Sequence, residues 1–129
     1  MAEAYAKLTG HPGVCFVTRG PGACNAAIGV HTAMQDSSPM ILLVGQVARD
    51  QMGREAFQEI DYRQMFKSPI TKWATQIEKA ADIPYVLAQA FEMATSGRPG
   101  PVVIALPEDM LCEESDAVVI NPKPVAHFA

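Results

Sequence analysis

One stretch limits the folds open to this chain: Val14-Cys15-Phe16-Val17-Thr18, then Arg19, then Gly20-Pro21-Gly22-Ala23-Cys24-Asn25. It is an apolar, β-prone run, a glycine-proline-glycine turn, and the opening of an alanine-rich helix. A strand that turns at once into a helix is the repeating unit of a parallel α/β sheet. Ligands of such sheets bind at the carboxyl ends of the strands, where the next helix aims its unpaired N–H groups.

The alternation continues along the chain. Ala2, Tyr5, Ala6 and Leu8-Thr9 carry helical spacing, and Gly10 reads as the residue that stops that helix. Pro12-Gly13 turns the chain into a strand over 14–18. After the glycine turn, Ala23, Ala26, Ala27, Val30, Ala33 and Met34 form one stripe of mostly small residues, suited to lie close on a sheet. Asp36-Ser37-Ser38-Pro39 ends it. Residues 40–44 are uniformly apolar, as in a parallel strand covered on both faces, and finish at Gly45-Gln46. Residues 47–69 read as a long polar loop with a short helix over 60–66; a loop this long inside an α/β domain points to function. Residues 70–77 read as a strand holding Trp73. Asp82 is expected to cap a helix with Pro84 in its first turn. Its core stripe is Ile83, Val86, Leu87, Ala90, Phe91 and Ala94, and Gly97 ends it. The last strand is 102–106, closed by Pro107. The expected fold is an α/β, doubly wound, mainly parallel sheet with helices on both faces and right-handed crossovers.

Size and charge narrow the function classes. The 129 residues are 49% hydrophobic with a formal charge of −4, which suits one globular domain with one core. Lys and Arg are scattered, so nucleic acid is not an expected partner. No apolar run reaches membrane-spanning length, and no charged leader precedes an apolar one. Cys15, Cys24 and Cys112 lack metal-site spacing, and are expected to be reduced, mostly buried thiols of a cytoplasmic protein. His11, His31 and His127 are too dispersed for a metal site. The acidic residues between Asp50 and Asp61 read as a solvated loop.

The glycine turn nearly matches a dinucleotide fingerprint, but Asn25 stands at the third glycine position. No acidic residue ends the 40–44 strand to hold a ribose, and no Gly-Lys-Ser/Thr follows to make a Walker loop. Two readings stay open. The turn presents its backbone and the Asn25 amide to a ligand, or it is only a strand-to-helix turn that needs glycine for its backbone angles. The residues by themselves give a ligand-binding α/β module.

A wider set of residues carries a resemblance. Ala4-Tyr5-Ala6-Lys7-Leu8-Thr9-Gly10, Pro12-Gly13-Val14 and Gly20-Pro21-Gly22 with Asn25 resemble the N-terminal pyrimidine-binding domain of thiamine-diphosphate enzymes, acetolactate synthase-like group. The likeness continues through Asp36–Pro39, Gly45-Gln46-Val47, Ala56-Phe57-Gln58-Glu59-Ile60-Asp61, Thr71-Lys72 and Ser96–Val102. It implies that Gly20, Pro21 and Gly22 approach the aminopyrimidine ring, with Asn25 and Gln58 beside the cofactor. It also implies that Phe57 walls the substrate space.

The implied enzyme is a transferase or lyase acting on 2-keto acids, its cofactor absorbing the charge left by decarboxylation. The implied catalytic glutamate lies in an Arg-His-Glu segment upstream of Met1, so no catalytic residue is assigned here, and Glu3 is not promoted to the role. Mg2+ and the diphosphate belong to another domain, which a partner subunit presents across a dimer interface. Residues 1–110 then form a partial pyrimidine-binding domain, and 111–129 a linker toward a central domain. This chain alone is expected to be inactive and to bind the cofactor weakly. It should also self-associate, because a truncated start leaves an apolar sheet edge uncovered. Two departures stand out: Glu108 where acetolactate synthases tend to carry lysine, and Arg19 where serine is common. The alternatives are a non-catalytic binding module of the same fold and a flavodoxin-like nucleotide binder.

Overall fold

The computed structural model describes residues 1–121. Four strands form one sheet: β1 (Gly13–Val17), β2 (Met40–Gln46), β3 (Trp73–Gln76) and β4 (Pro101–Pro107). Their order is β1-β2-β4-β3, and every pairing is parallel. Helices α1 (Ala2–Thr9), α2 (Gly20–Gln35), α3 (Tyr62–Met65) and α4 (Ile83–Thr95) connect them. The expected parallel α/β class is the observed one.

The core has two layers, one on each face of the sheet. On the first face Ala23, Val30 and Ala33 of α2 pack with Met40, Leu42, Val44, Tyr62, Phe66, Val103 and Ala105. On the second, Ala90 and Ala94 of α4 pack with Ile41, Leu43, Ile77, Val102, Ile104 and Met110. β2 and β4 are therefore apolar at successive positions because both of their faces are covered. The small residues of α2 and α4 let these helices sit close to the sheet.

Several boundaries differ from the expected ones. Gly20-Pro21-Gly22 is not a turn ahead of the helix; it is the first turn of α2. Proline suits that turn, because its fixed φ is helical and its missing N–H would have no helical partner there. Asp82 precedes α4, but its side chain makes no capping bond; its backbone is already helical, at φ −86° and ψ −11°. β3 is shorter than the expected 70–77. Thr71 turns inward instead, its hydroxyl donating to the Phe66 carbonyl. Gly10 (φ 72°) ends α1 as expected, and Gly97 (φ 56°) follows the last residue of the α4 cap, Ser96.

The thiols are not mostly buried: Cys24 and Cys112 are exposed and Cys15 is half-buried. Cys24 falls off the Ala23–Ala27–Val30 stripe of α2, and Cys112 lies in a short 3-10 turn after β4. His11 and His31 are exposed. His127, Pro122 and Pro124 lie outside the described residues. Residues 113–121 are exposed and carry no helix or strand. No helix among the described residues is long and apolar enough to cross a membrane.

Candidate functional site

At the carboxyl end of the sheet, the exit of β1 meets the loop that leaves β2. The Gly20 N–H donates to the Gln58 carbonyl (3.1 Å). Neither Gly20 nor Gly22 has a positive φ, so backbone freedom is not why glycine stands there. Close approach is. A Cβ on Gly20 would lie 3.0 Å from the Gln58 carbonyl oxygen and 3.2 Å from Ile60; one on Gly22 would lie 3.0 Å from Thr18 and 3.2 Å from Val17. The glycines thus let α2 press against the loop and against the end of β1.

The loop itself is pinned from inside. Gln46 is buried, and its amide nitrogen donates to the Ile60 carbonyl (2.8 Å) while its amide oxygen accepts from Val47 (3.0 Å). The Glu59 carboxylate accepts the N–H groups of Gly53 (2.5 Å) and Ala56 (3.0 Å). The Gly53 contact above all holds that carboxyl below its ordinary range. Between these anchors Gln58 adopts φ 66°, a left-handed conformation uncommon for any residue but glycine. The acidic loop residues are therefore partly structural rather than merely solvated. Sequence reasoning missed Gln46 as an anchor, although its place at a strand end was visible.

Of the residues singled out in the sequence, Gly20 and Gln58 are in direct contact. Pro21 and Asn25 are both exposed and sit one helical turn apart on α2. Phe57, beside Gln58, leaves 79% of its surface in solvent. The side-chain amides of Asn25 and Gln58 make no hydrogen bond among the described residues. In the core layer under α2, the buried Tyr62 hydroxyl has no partner among the described residues. Burial pushes its pKa up to about 12, against the pull of the Arg19 charge.

The set does not suit a phosphate. In the first turn of α2 the Gly20 N–H is taken by Gln58, the Ala23 N–H by the Arg19 carbonyl (3.0 Å), and Pro21 has none. That leaves Gly22 alone to face an anion, where a phosphate cradle needs several amides. No group of three His, Cys, Asp or Glu residues able to hold a metal occurs among the described residues. A flat neutral ring is a better match. The exposed side chains singled out in the sequence are a phenyl, a proline and amides that can donate and accept, none of them charged. Glu3 is not part of this edge: it faces Lys7 (3.6 Å) and Ser38 (3.5 Å), near the start of β2. A cavity of about 210 Å3 lined by Lys7, Asp36, Ser37 and Thr95 shares none of the site residues.

The fold defines a class: a parallel α/β domain whose first helix after β1 is tied to the loop leaving β2 at the strand ends. The chain belongs to the family of the thiamine pyrophosphate enzyme N-terminal TPP binding domain, whose model matches residues 1–65, just over half of its length. It is 46% identical over 124 residues to the acetolactate synthase large subunit of Parasynechococcus marenigrum, covering 96% of this chain and 20% of that protein. The acetolactate synthase isozyme 3 large subunit of Escherichia coli is 44% identical, over 98% of this chain and 22% of its own length. A mitochondrial acetolactate synthase catalytic subunit of Saccharomyces cerevisiae is 43% identical, over 96% and 17%. The chain thus spans about a fifth of the length of these curated relatives.

Proposed function

We propose that this chain is the pyrimidine-binding part of a thiamine-diphosphate-dependent 2-keto-acid decarboxylase or carboligase, an acetolactate synthase-like transferase or lyase of the cytoplasm. Residues 1–110 are the binding domain and 111–129 a linker. The observation that carries the reading is the bond from the Gly20 N–H to the Gln58 carbonyl. It ties the first turn of α2 to the loop bearing Phe57, beside two uncommitted amides. Gly20, Pro21 and Gly22 give the ring a close backbone approach, Asn25 and Gln58 orient it by hydrogen bonds, and Phe57 excludes water on the substrate side.

When bound, thiamine diphosphate supplies the centre that takes up the charge left as a 2-keto acid loses carbon dioxide. The diphosphate and Mg2+ are held by a separate domain of a partner subunit. This chain then holds half of a site. It should be silent toward pyruvate even with thiamine diphosphate and Mg2+.

Titrating the isotope-labelled chain with thiamine and, separately, with inorganic pyrophosphate tests the reading. Thiamine at millimolar concentration should shift the amide signals of Gly22, Asn25, Phe57 and Gln58, and pyrophosphate should leave them in place. Pyrophosphate acting where thiamine does not would overturn it, and so would pyruvate decarboxylation by the chain alone.

A further inference from the structure

Arg19 and Glu108 stand 89 residues apart in sequence and make a direct ion pair. Arg19 follows β1 as the N-cap of α2, and Glu108 follows β4. β2 lies between those strands, so the pair spans its carboxyl end. The span is close-fitting. The Glu108 N–H donates to the Gln46 carbonyl (3.1 Å), and a Cβ on Gly45 would lie 3.7 Å from the Arg19 nitrogen. The pair therefore sits at the strand ends, one residue from Gly20 and beside the loop pinned by Gln46.

Its chemistry is specific. A guanidinium is permanently charged, and its planar fork matches a carboxylate. Only the Nη2 end of Arg19 is engaged, by Glu108. Nη1 and Nε make no hydrogen bond among the described residues, and about a quarter of the side chain (28%) is open to solvent. The Gly22 amide, three residues on in the first turn of α2, is likewise uncommitted. Glu108 is the more exposed partner, at 56%, and so is the one free to swing away.

We propose that Arg19 is the carboxylate-recognising residue of this site, and that Glu108 is a built-in competitor holding one end of its fork. The inference rests on the proposed function in one respect, the choice of a 2-keto acid as the incoming carboxylate. A small monoanionic acid reaches the free Nη1 and Nε only against the charge of the Glu108 carboxylate, and gains the Nη2 end only by displacing it, so the pair sets how strongly the site takes anionic substrates. Neutral ligands are unaffected by it. An exposed pair of this kind holds only part of the population closed, so its removal should tighten carboxylate binding by about fivefold.

The experiment is a pyruvate titration of the full chain followed at the Arg19 and Gly22 amides, with pyruvamide as the uncharged control. Glu108→Gln should bind pyruvate about fivefold more tightly than the unaltered chain, with pyruvamide unchanged. Arg19→Gln and the double variant should both lose pyruvate binding. Neither side chain belongs to a core layer, so far-UV circular dichroism should be the same for all four chains. If Glu108→Gln gains nothing, or if its gain survives in the double variant, the proposal is overturned. Thiamine titration reads Asn25 and Gln58 separately. A chain that gains pyruvate binding in Glu108→Gln yet ignores thiamine keeps this proposal and sinks the proposed function; the converse pattern sinks only this one.

Discussion

Gln58 is the residue where local strain and function meet. Its φ of 66° is a conformation that costs a side-chain-bearing residue about 1 kcal/mol or more, and glycine nothing. The strain is held in place because the Gln58 carbonyl must accept from Gly20 while Gln46 and Glu59 fix the chain on either side. Gln58→Gly should therefore stabilise the chain by about 0.5–1 kcal/mol in urea denaturation, the relief of φ being partly offset by the greater freedom of unfolded glycine. The same variant should weaken the thiamine-induced shift at Asn25, since one of two orienting amides is gone. A loss of stability instead would mean that the side chain holds the loop, and that the strain is not spent on presenting it.

Elements were legible in the sequence wherever one segment carried its own signal. The stripe of α2, the unbroken apolar run of β2 and the glycine stops of α1 and α4 each depend on neighbours within a turn or two, and periodicity reports those. Even the exposure of Cys24 was encoded, since it lies off the stripe; the general burial tendency of cysteine obscured it. The glycine turn and Asn25 stood out as candidates from the residues themselves, whereas Phe57 and Gln58 were singled out only through the family likeness. What no local signal could show were contacts between distant segments: Arg19 with Glu108, and the clasp built on Arg49. That clasp joins the exit of β2 to the exit of β4. Arg49 donates its backbone N–H and Nε to Asp109 (3.0 and 2.7 Å), Nη1 to the Glu78 carbonyl (2.5 Å) and Nη2 to Glu113 (2.5 Å). Glu113 also accepts from the Ala80 N–H (3.0 Å). Asp109 is held below the usual carboxylate range chiefly by the Arg49 N–H, and Glu113 chiefly by the Ala80 N–H. Groups whose folded pKa is depressed stabilise the fold above their unfolded values and lose that contribution as pH falls through the folded ones. The clasp should thus hold through the ordinary carboxylate range and open only at more acid pH, ahead of the sheet. Amide signals of Arg49 and Ala80 should move in that window while those of β2 and β4 hold. Arg49→Gln should show the opened pattern already at pH 7; an acid transition in which clasp and sheet move together would refute this order.

At the scale of the whole molecule, the unequal covering of the sheet matters most. β2 and β4 are sheathed on both faces, but β1 is an edge strand with a partner on one side only. Its register sets Val14 beside Ile41 and Phe16 beside Leu43, on the face that α4 covers further along. α4 packs against β2 and β4 and leaves Val14 46% and Phe16 71% exposed. The strand reads Gly-Val-Cys-Phe-Val, with no lysine, proline or other device that protects an edge from pairing. A second copy of β1 laid antiparallel would bring no like charges together and would give both side chains apolar cross-strand neighbours. The chain should therefore run as a dimer or larger species by light scattering, with a melting temperature that rises with concentration, because association stabilises only the folded form. Phe16→Lys should shift the population toward monomer and flatten that concentration dependence, since a lysine on the edge opposes pairing without disturbing either core layer. A clean monomer at high concentration for the unaltered chain would remove the argument. So would Phe16→Lys oligomers as large as before, which would place the contact elsewhere, with exposed Leu8 and Ile28 of α1 and α2 the next surfaces to alter.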